Sequence, residues 1–372
     1  MQSVANPRSS VAFYISGHGF GHASRQIEIV NALGRRRPDV AIVLRTAVAP
    51  WLIERTVAVP FEVDNRPCDT GIVQIDALRL DAAATIAQAD AFYATLDARA
   101  EDEAAWLRAR GVRFVVADAP PLGCAAAARA GVPSVVVSNF TWDWIYAEYG
   151  EHLDSAPALI PTIQAAYRLA DAAWRLPMHG GFETFTASGP AATQPQTLFD
   201  VPFVARHATH SPAETRARLG LPAPDDERRL ALPSFGGYGV AIDLDALDLD
   251  GSWHVVRVPD ATIYDAGLRY EDLVRAVDVV VTKPGYGIIA ECLANDTAIV
   301  YTPRGRFVEY EVLVREMPRY LRCSYLDTDA LATGRWQPAL DAAVNAPPPP
   351  ERPRTDGAGV VADMIAAAIH SA

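Results

Sequence analysis

Ten residues, Thr282-Lys283-Pro284-Gly285-Tyr286-Gly287-Ile288-Ile289-Ala290-Glu291, narrow the folds open to this chain. Ahead of them Val277-Asp278-Val279-Val280-Val281 reads as a short buried strand; behind them 288–295 reads as a helix and 298–301 as the next strand. A strand, a glycine turn, a helix and another strand form the crossover unit of a parallel α/β sheet. At such a turn the helix offers unpaired backbone N–H groups and the positive end of its dipole. Gly285 and Gly287 let a ligand approach the backbone, Tyr286 stands between them, and Lys283 adds a point charge at the strand end. Glu291 falls one helical turn after Gly287, so its carboxylate is expected at the same mouth, within reach of sugar hydroxyls. Glycines alone fit an ordinary strand–helix turn with a solvated lysine. Lysine, paired glycines and glutamate together favour a nucleotide, with phosphate at the turn and ribose at the glutamate.

The 372 residues are long enough for two α/β domains, and half of them are hydrophobic, as in a globular protein. A net charge of −12 argues against nucleic acid and anionic lipid as partners. No window approaches the ~18 apolar residues of a membrane span, and residues 1–10 lack the apolar core of a signal peptide. Cys68, Cys124, Cys292 and Cys323 are scattered without metal-like spacing, which suits buried thiols in a reducing cytoplasm. His207 and His210 have no third ligand nearby, so no metal site is expected.

In the first half, a strand at 11–16 runs into Gly17-His18-Gly19-Phe20-Gly21-His22, and a helix is expected from 23 to 36. The spacing is neither the dinucleotide-binding glycine fingerprint nor a P-loop. One histidine on such a turn reads as a backbone-satisfying residue. Two, at the carboxyl end of a first strand, also read as ligand-facing, and imidazole suits proton transfer near neutral pH. His22, at the helix start, is the better candidate for a base, and His18 either shapes the loop or contacts substrate. The stretch 82–110 reads as helical and 60–80 as irregular. A strand at 113–118 ends on Asp118, which either caps the next helix or orients the imidazole of His22 as the second member of a dyad. After a strand at 132–138 come Asn139, Thr141, Trp142 and Asp143 in a densely aromatic run, readable as core or as an acceptor pocket with apolar walls and a few polar groups.

The second half opens after 188–210, which reads as a loop-like linker. A strand at 229–232 leads to Ser234-Phe235-Gly236-Gly237, a hairpin-like turn or a second place where backbone N–H groups reach a diphosphate. Residues 301–311 read as a loop leaving a strand end, from which Glu309 and Glu311 can reach a sugar. Pro347 to Pro350 form a stiff spacer, and 357–369 a final helix. The expected domains are 1–195 on the acceptor side, 196–346 for the nucleotide sugar, and 347–372 as spacer plus a helix packing back on the first domain.

Five stretches carry a family resemblance: SGHGFGHASR (16–25), VPSVVVSNFTWDWIYAEY (132–149), RLP (175–177), SFGG (234–237) and KPGYGIIAE (283–291). Through them the chain resembles glycosyltransferases of the GT-B fold over its full length, and more closely the N-terminal region of plant L-arabinokinases and their stand-alone bacterial relatives. The resemblance implies two Rossmann-like domains with parallel sheets facing across a cleft. It implies His22 as the base and Asp118 as its orienting carboxylate. Lys283 stands where plant-type glycosyltransferases carry a phosphate-binding histidine and the peptidoglycan N-acetylglucosaminyltransferase an arginine. Gly285 to Glu291 keeps the spacing used for phosphate and ribose. Gly21, Gly236, Gly237, Tyr286 and Gly287 are grouped with the donor-binding positions, and His18, Phe20, Asn139, Trp142 and Asp143 with the acceptor-binding ones. The Asp-Gln pair that holds the donor sugar in plant enzymes is absent, and Glu309 is only a loose counterpart. No kinase region follows, so arabinose phosphorylation is not expected.

The expected function is therefore inverting, metal-independent transfer of a hexosyl or pentosyl group from a nucleotide sugar, UDP-linked, to a hydroxyl acceptor, with no further cofactor. A nucleotide-sugar epimerase or hydrolase, and a non-catalytic sugar-nucleotide-binding module, are the alternatives.

Overall fold

The computed structural model describes residues 9–186, 197–236 and 242–371. The chain forms two compact units: Met1–Val73, Asp81–Val204 and Asp356–Ala372 make up the first, and Gln74–Leu80 and Ala205–Thr355 the second.

Unit 1 is built on seven strands, β1 (Ser10–Ile15), β2 (Ala41–Thr46), β3 (Glu62–Asn65), β4 (Val112–Ala117), β5 (Ser134–Phe140), β6 (Ala172–Gly180) and β7 (Thr197–Asp200). They lie in the order β3-β2-β1-β4-β5-β6-β7, each parallel to its neighbours. From Val11 to Tyr14 the interior strand β1 is wholly inaccessible to solvent, as a strand covered by helices on both faces must be. The order reverses between β1 and β4, and ligands of open α/β sheets bind at the carboxyl ends of strands beside such a switch. The first helix, α1 (Gly19–Arg36), leaves β1 there. The final helix, Gly357–Ser371, packs along α1 and buries Val361, Ala362 and Ile365, with Asp363 bonded to Arg36 at 2.7 Å.

Unit 2 holds β8 (Arg229–Ser234), β9 (Trp253–Val255), β10 (Val279–Thr282), β11 (Ala298–Tyr301) and β12 (Cys323–Tyr325), parallel and ordered β12-β11-β10-β8-β9. Its central β10 is the Val279-Val280-Val281 run.

Several elements differ from the sequence reading. α1 starts at Gly19, so Gly21 and His22 lie within its first turns; Gly19 enters the helix at φ +72°, a conformation open to glycine without strain. The 82–110 stretch is two helices, Ala82–Tyr93 and Leu96–Ala109. Within the linker region, 197–200 is β7, paired with β6, so unit 1 runs on to Val204 instead of ending at 195. The irregular 60–80 stretch contains the edge strand β3, whose mostly exposed Glu-Val-Asp-Asn sequence gives no apolar alternation. It also contains 74–80, which joins unit 2 by burying Ala77 among Val281, Val300 and Trp336. The 301–311 loop gives way to the helix Val308–Glu316, with Glu309 and Glu311 in its first turn. The spacer through Thr355 belongs to unit 2, where Arg319 holds Glu351 at 2.9 Å. Among the described residues no helix is long and apolar enough to cross a membrane.

Removing the fully buried Ile365 side chain of the final helix (Ile365→Ala) is expected to lower unit 1 stability by about 2–5 kcal/mol, read from the urea midpoint.

Candidate functional site

The reversal point in unit 1 gathers charge. Asp118 follows β4 directly and is completely buried. Its Oδ2 lies 2.5 Å from His22 Nδ1, and its Oδ1 accepts Arg25 Nε at 2.8 Å, Arg25 Nη2 at 2.5 Å and Gln26 Nε2 at 3.3 Å. Three helical positions spaced i, i+3 and i+4 on one face, His22, Arg25 and Gln26, thus close on one carboxylate. Burial pushes the Asp118 carboxyl up, but the charges of Arg25 and His22 outweigh burial and hold it below the usual carboxylate value. Arg25 is itself satisfied: Nη2 also donates to Ser138 Oγ at 3.0 Å and Nη1 to Asn139 Oδ1 at 2.5 Å. His22 Nδ1 lies 2.5 Å from Asp118 Oδ2 and 2.9 Å from Arg25 Nη2; the nearer, an ionised carboxylate, can only accept, so Nδ1 carries the proton. In the neutral ring that leaves Nε2 with its lone pair, the arrangement a general base needs.

Aromatic rings set the imidazole plane. Phe140 meets His22 edge-on at 5.2 Å, and the buried Trp142 stacks on it at 6.2 Å and 25°. His18 occupies the N-cap position of α1, its Nδ1 accepting from Ile72 N at 3.3 Å, and stands edge-on to Trp142 at 6.0 Å. The His18 side chain makes no cap hydrogen bond to the first turn, in which Gly21 lies. The structure therefore brings His18, His22, Asp118, Asn139 and Trp142 into one cluster, with Asn139 held under Arg25. Phe20 turns instead to Trp51 at 5.6 Å, and Asp143 accepts from Thr184 Oγ1 at 2.9 Å.

In unit 2, β10 ends at Thr282 and the helix Tyr286–Asn295 begins with Gly285 as its N-cap, in extended backbone at φ −156° and without a side-chain cap. A Cβ at Gly285 would meet nothing within 4 Å, so the backbone there faces open space. The Ile289 amide bonds to Gly285 O at 3.1 Å, and residues 286–288, Gly287 included, make up the first turn of the helix. Tyr286 is buried at this start. Burial, with the nearby Arg304 charge adding to it, lowers the Lys283 ammonium to about 7, against the opposing pull of Asp76 and Glu309. Arg304 bonds Glu309 Oε2 at 3.0 Å and the Pro284 carbonyl at 3.3 Å. Two cations thus flank the turn, and Glu309 is engaged by one of them. Glu291 is buried and accepts Arg206 Nε at 2.7 Å on Oε1, with Arg206 also 3.4 Å from Glu271. Gly236 ends the β8 turn at φ +71°, and Gly237 lies outside the described residues.

Arg25, Arg304, Arg206 and Asp69 were not singled out by the sequence reading. Arg25 had a signal, its i+3 spacing from His22. The partners of Arg206 and Asp69 are distant in sequence, and no local pattern marks them.

Over nearly its whole length the chain superimposes on solved glycosyltransferases. A calicheamicin glycosyltransferase gives a TM-score of 0.58 at 16% identity, covering 98% of this chain and 99% of that one. The glycosyltransferase of kitacinnamycin gives 0.58 at 17%, covering 98% and 100%. A UDP-glucosyltransferase from Polygonum tinctorium gives 0.56 at 12%, covering 99% and 100%. The fold is that of the GT-B glycosyltransferases. No family model matches the chain. Among curated proteins it is 31% identical over 362 residues to an L-arabinokinase of Arabidopsis thaliana, covering 93% of this chain and 33% of that protein. The chain therefore spans about a third of the length of that relative.

Because the folded Asp118 value lies below its free value of 3.8, the stabilisation from its pairing is complete above about pH 4 and is lost as pH falls through the folded value. Arg25→Met, leaving a buried carboxylate without its cation, is expected to cost about 3–5 kcal/mol at pH 7 and to flatten this acid limb. Urea denaturation between pH 3 and 7 measures both.

Proposed function

We propose that the chain is an inverting, metal-independent glycosyltransferase that moves a hexosyl or pentosyl group from a nucleotide sugar, UDP-linked, to a hydroxyl acceptor. One observation carries this reading: an imidazole whose Nδ1 is fixed on a buried carboxylate stands at the carboxyl edge of a GT-B sheet, leaving Nε2 to take a proton. In the proposed reaction Nε2 removes the acceptor hydroxyl proton as the oxygen attacks the anomeric carbon. The bond from that carbon to the diphosphate breaks, and the departing oxygen takes the electron pair. A single displacement inverts the anomeric centre. Charge on the leaving diphosphate is met by the 286–288 amides, Lys283 and Arg304, positive groups aimed where negative charge develops. A cytoplasmic setting belongs to the same reading, and three buried free cysteines suit it.

The placement of Glu291 narrows its role. With Oε1 bonded by Arg206, the ribose contact proposed for it follows a shift of that arginine. Sugar-active chemistry is common to the GT-B neighbours and to the L-arabinokinase by their names. The kinase activity of that relative is not carried over.

The test is incubation with a panel of UDP-sugars and hydroxyl acceptors, followed by mass spectrometry for glycosylated product and released UDP. His22→Ala is expected to lower turnover by about 10²–10⁴-fold with UDP affinity unchanged. A near-normal rate in that variant removes the histidine from the mechanism, and product from donor alone points to epimerisation or hydrolysis.

A further inference from the structure

A second carboxylate reaches the His22 cluster from a stretch without any motif. Asp69 lies beyond β3 and is buried, at 6% exposure. Its Oδ2 accepts the Trp142 indole Nε1–H at 2.8 Å, and the Ser16 hydroxyl just past β1 is a further partner. That indole is the ring stacked on His22. Tyr146 OH lies 3.3 Å from Thr70 Oγ1 and donates to the Gly71 carbonyl at 3.0 Å, so the backbone after Asp69 is pinned. Gly71, at φ +62°, lets the segment pass: a Cβ there would stand 2.6 Å from His18 Cβ.

The two buried carboxylates near His22 differ electrostatically. Arg25 compensates Asp118 through two hydrogen bonds. Among the described residues no arginine or lysine forms an ion pair with Asp69, and an imidazolium at His22 would be the positive charge acting on it. Burial lifts the Asp69 carboxyl to about 6, against the Ser16 hydrogen bond, the His22 charge and the indole hydrogen bond. The other titratable groups around the cluster are Asp118, Arg25, His18, Cys68, Tyr93, Tyr146 and Tyr167. Burial raises the Cys68 thiol and the three phenols, so none of these four ionises near neutral pH.

We propose that Asp69 is a positioning residue for His22: it anchors the Trp142 indole against the imidazole, and it carries the carboxylate charge that answers to the protonation of that ring. When the imidazole accepts a proton from the substrate, ionised Asp69 stabilises the imidazolium that Asp118, already compensated by Arg25, stabilises less. This rests on His22 acting as the proton acceptor, but its test needs no turnover.

The experiment is a pH titration of the ¹³Cε1 histidine resonances in the full-length protein, with His22→Gln identifying the signal and circular dichroism confirming the fold of each variant. Asp69→Asn keeps an oxygen for the indole and removes the charge. It is expected to lower the His22 midpoint by about half a pH unit or more while the Trp142 indole N–H resonance stays in place. Asp69→Ala is expected to move both. An unchanged midpoint in Asp69→Asn overturns the proposal. If Asp69→Asn fails to fold, Asp69→Ala is read in its place, and an unchanged His22 midpoint there overturns the proposal. A protein that shows the Asp69→Asn shift yet makes no glycosylated product refutes the transferase reading alone.

Discussion

A charge buried at the end of a strand has to be compensated, and the two units meet that demand in opposite ways. In unit 1 the Asp118 carboxylate is completely buried, which would cost several kcal/mol were it alone. Arg25, His22 and Gln26 converge on it from one helix, and this fixes how α1 leaves β1. The same bonds fix the tautomer of His22. Packing and proton chemistry therefore follow from one carboxylate.

Unit 2 leaves its charge only partly answered. Lys283 is lowered to about 7 because burial and the Arg304 charge outweigh Asp76 and Glu309. An uncapped helix start and an open backbone at Gly285 lie beside it. Such a cluster becomes stable when an anion arrives, whereas the unit 1 cluster is complete by itself. The proposed group transfer from a diphosphate would use both: a fixed imidazole as base in one unit and a cationic seat in the other.

Much of this was legible because it is local. The Val279-Val280-Val281 run, the glycines and the apolar helix behind them lie within one crossover unit, so short-range pattern and tertiary structure agree. His22 and Asp118 could be assigned to one sheet edge from the ends of their strands alone, and their 2.5 Å contact lies there. What escaped the sequence depends on distant partners. Asp69 meets Trp142 across 73 positions, Arg206 meets Glu291 across 85, and β7 becomes a strand by pairing with β6. The strand β3 is short and exposed at the sheet edge, where burial leaves no apolar signature.

The claim that the β10 turn seats a diphosphate is tested most directly by the protons it takes up. A lysine near 7 is mostly neutral at pH 8, and a bound dianion restores its proton by raising its pKa. Calorimetric titration with UDP at pH 8, in buffers of different ionisation enthalpy, is predicted to show binding with net proton uptake that disappears in Lys283→Met. Absence of UDP binding, or uptake unchanged in Lys283→Met, would contradict the account.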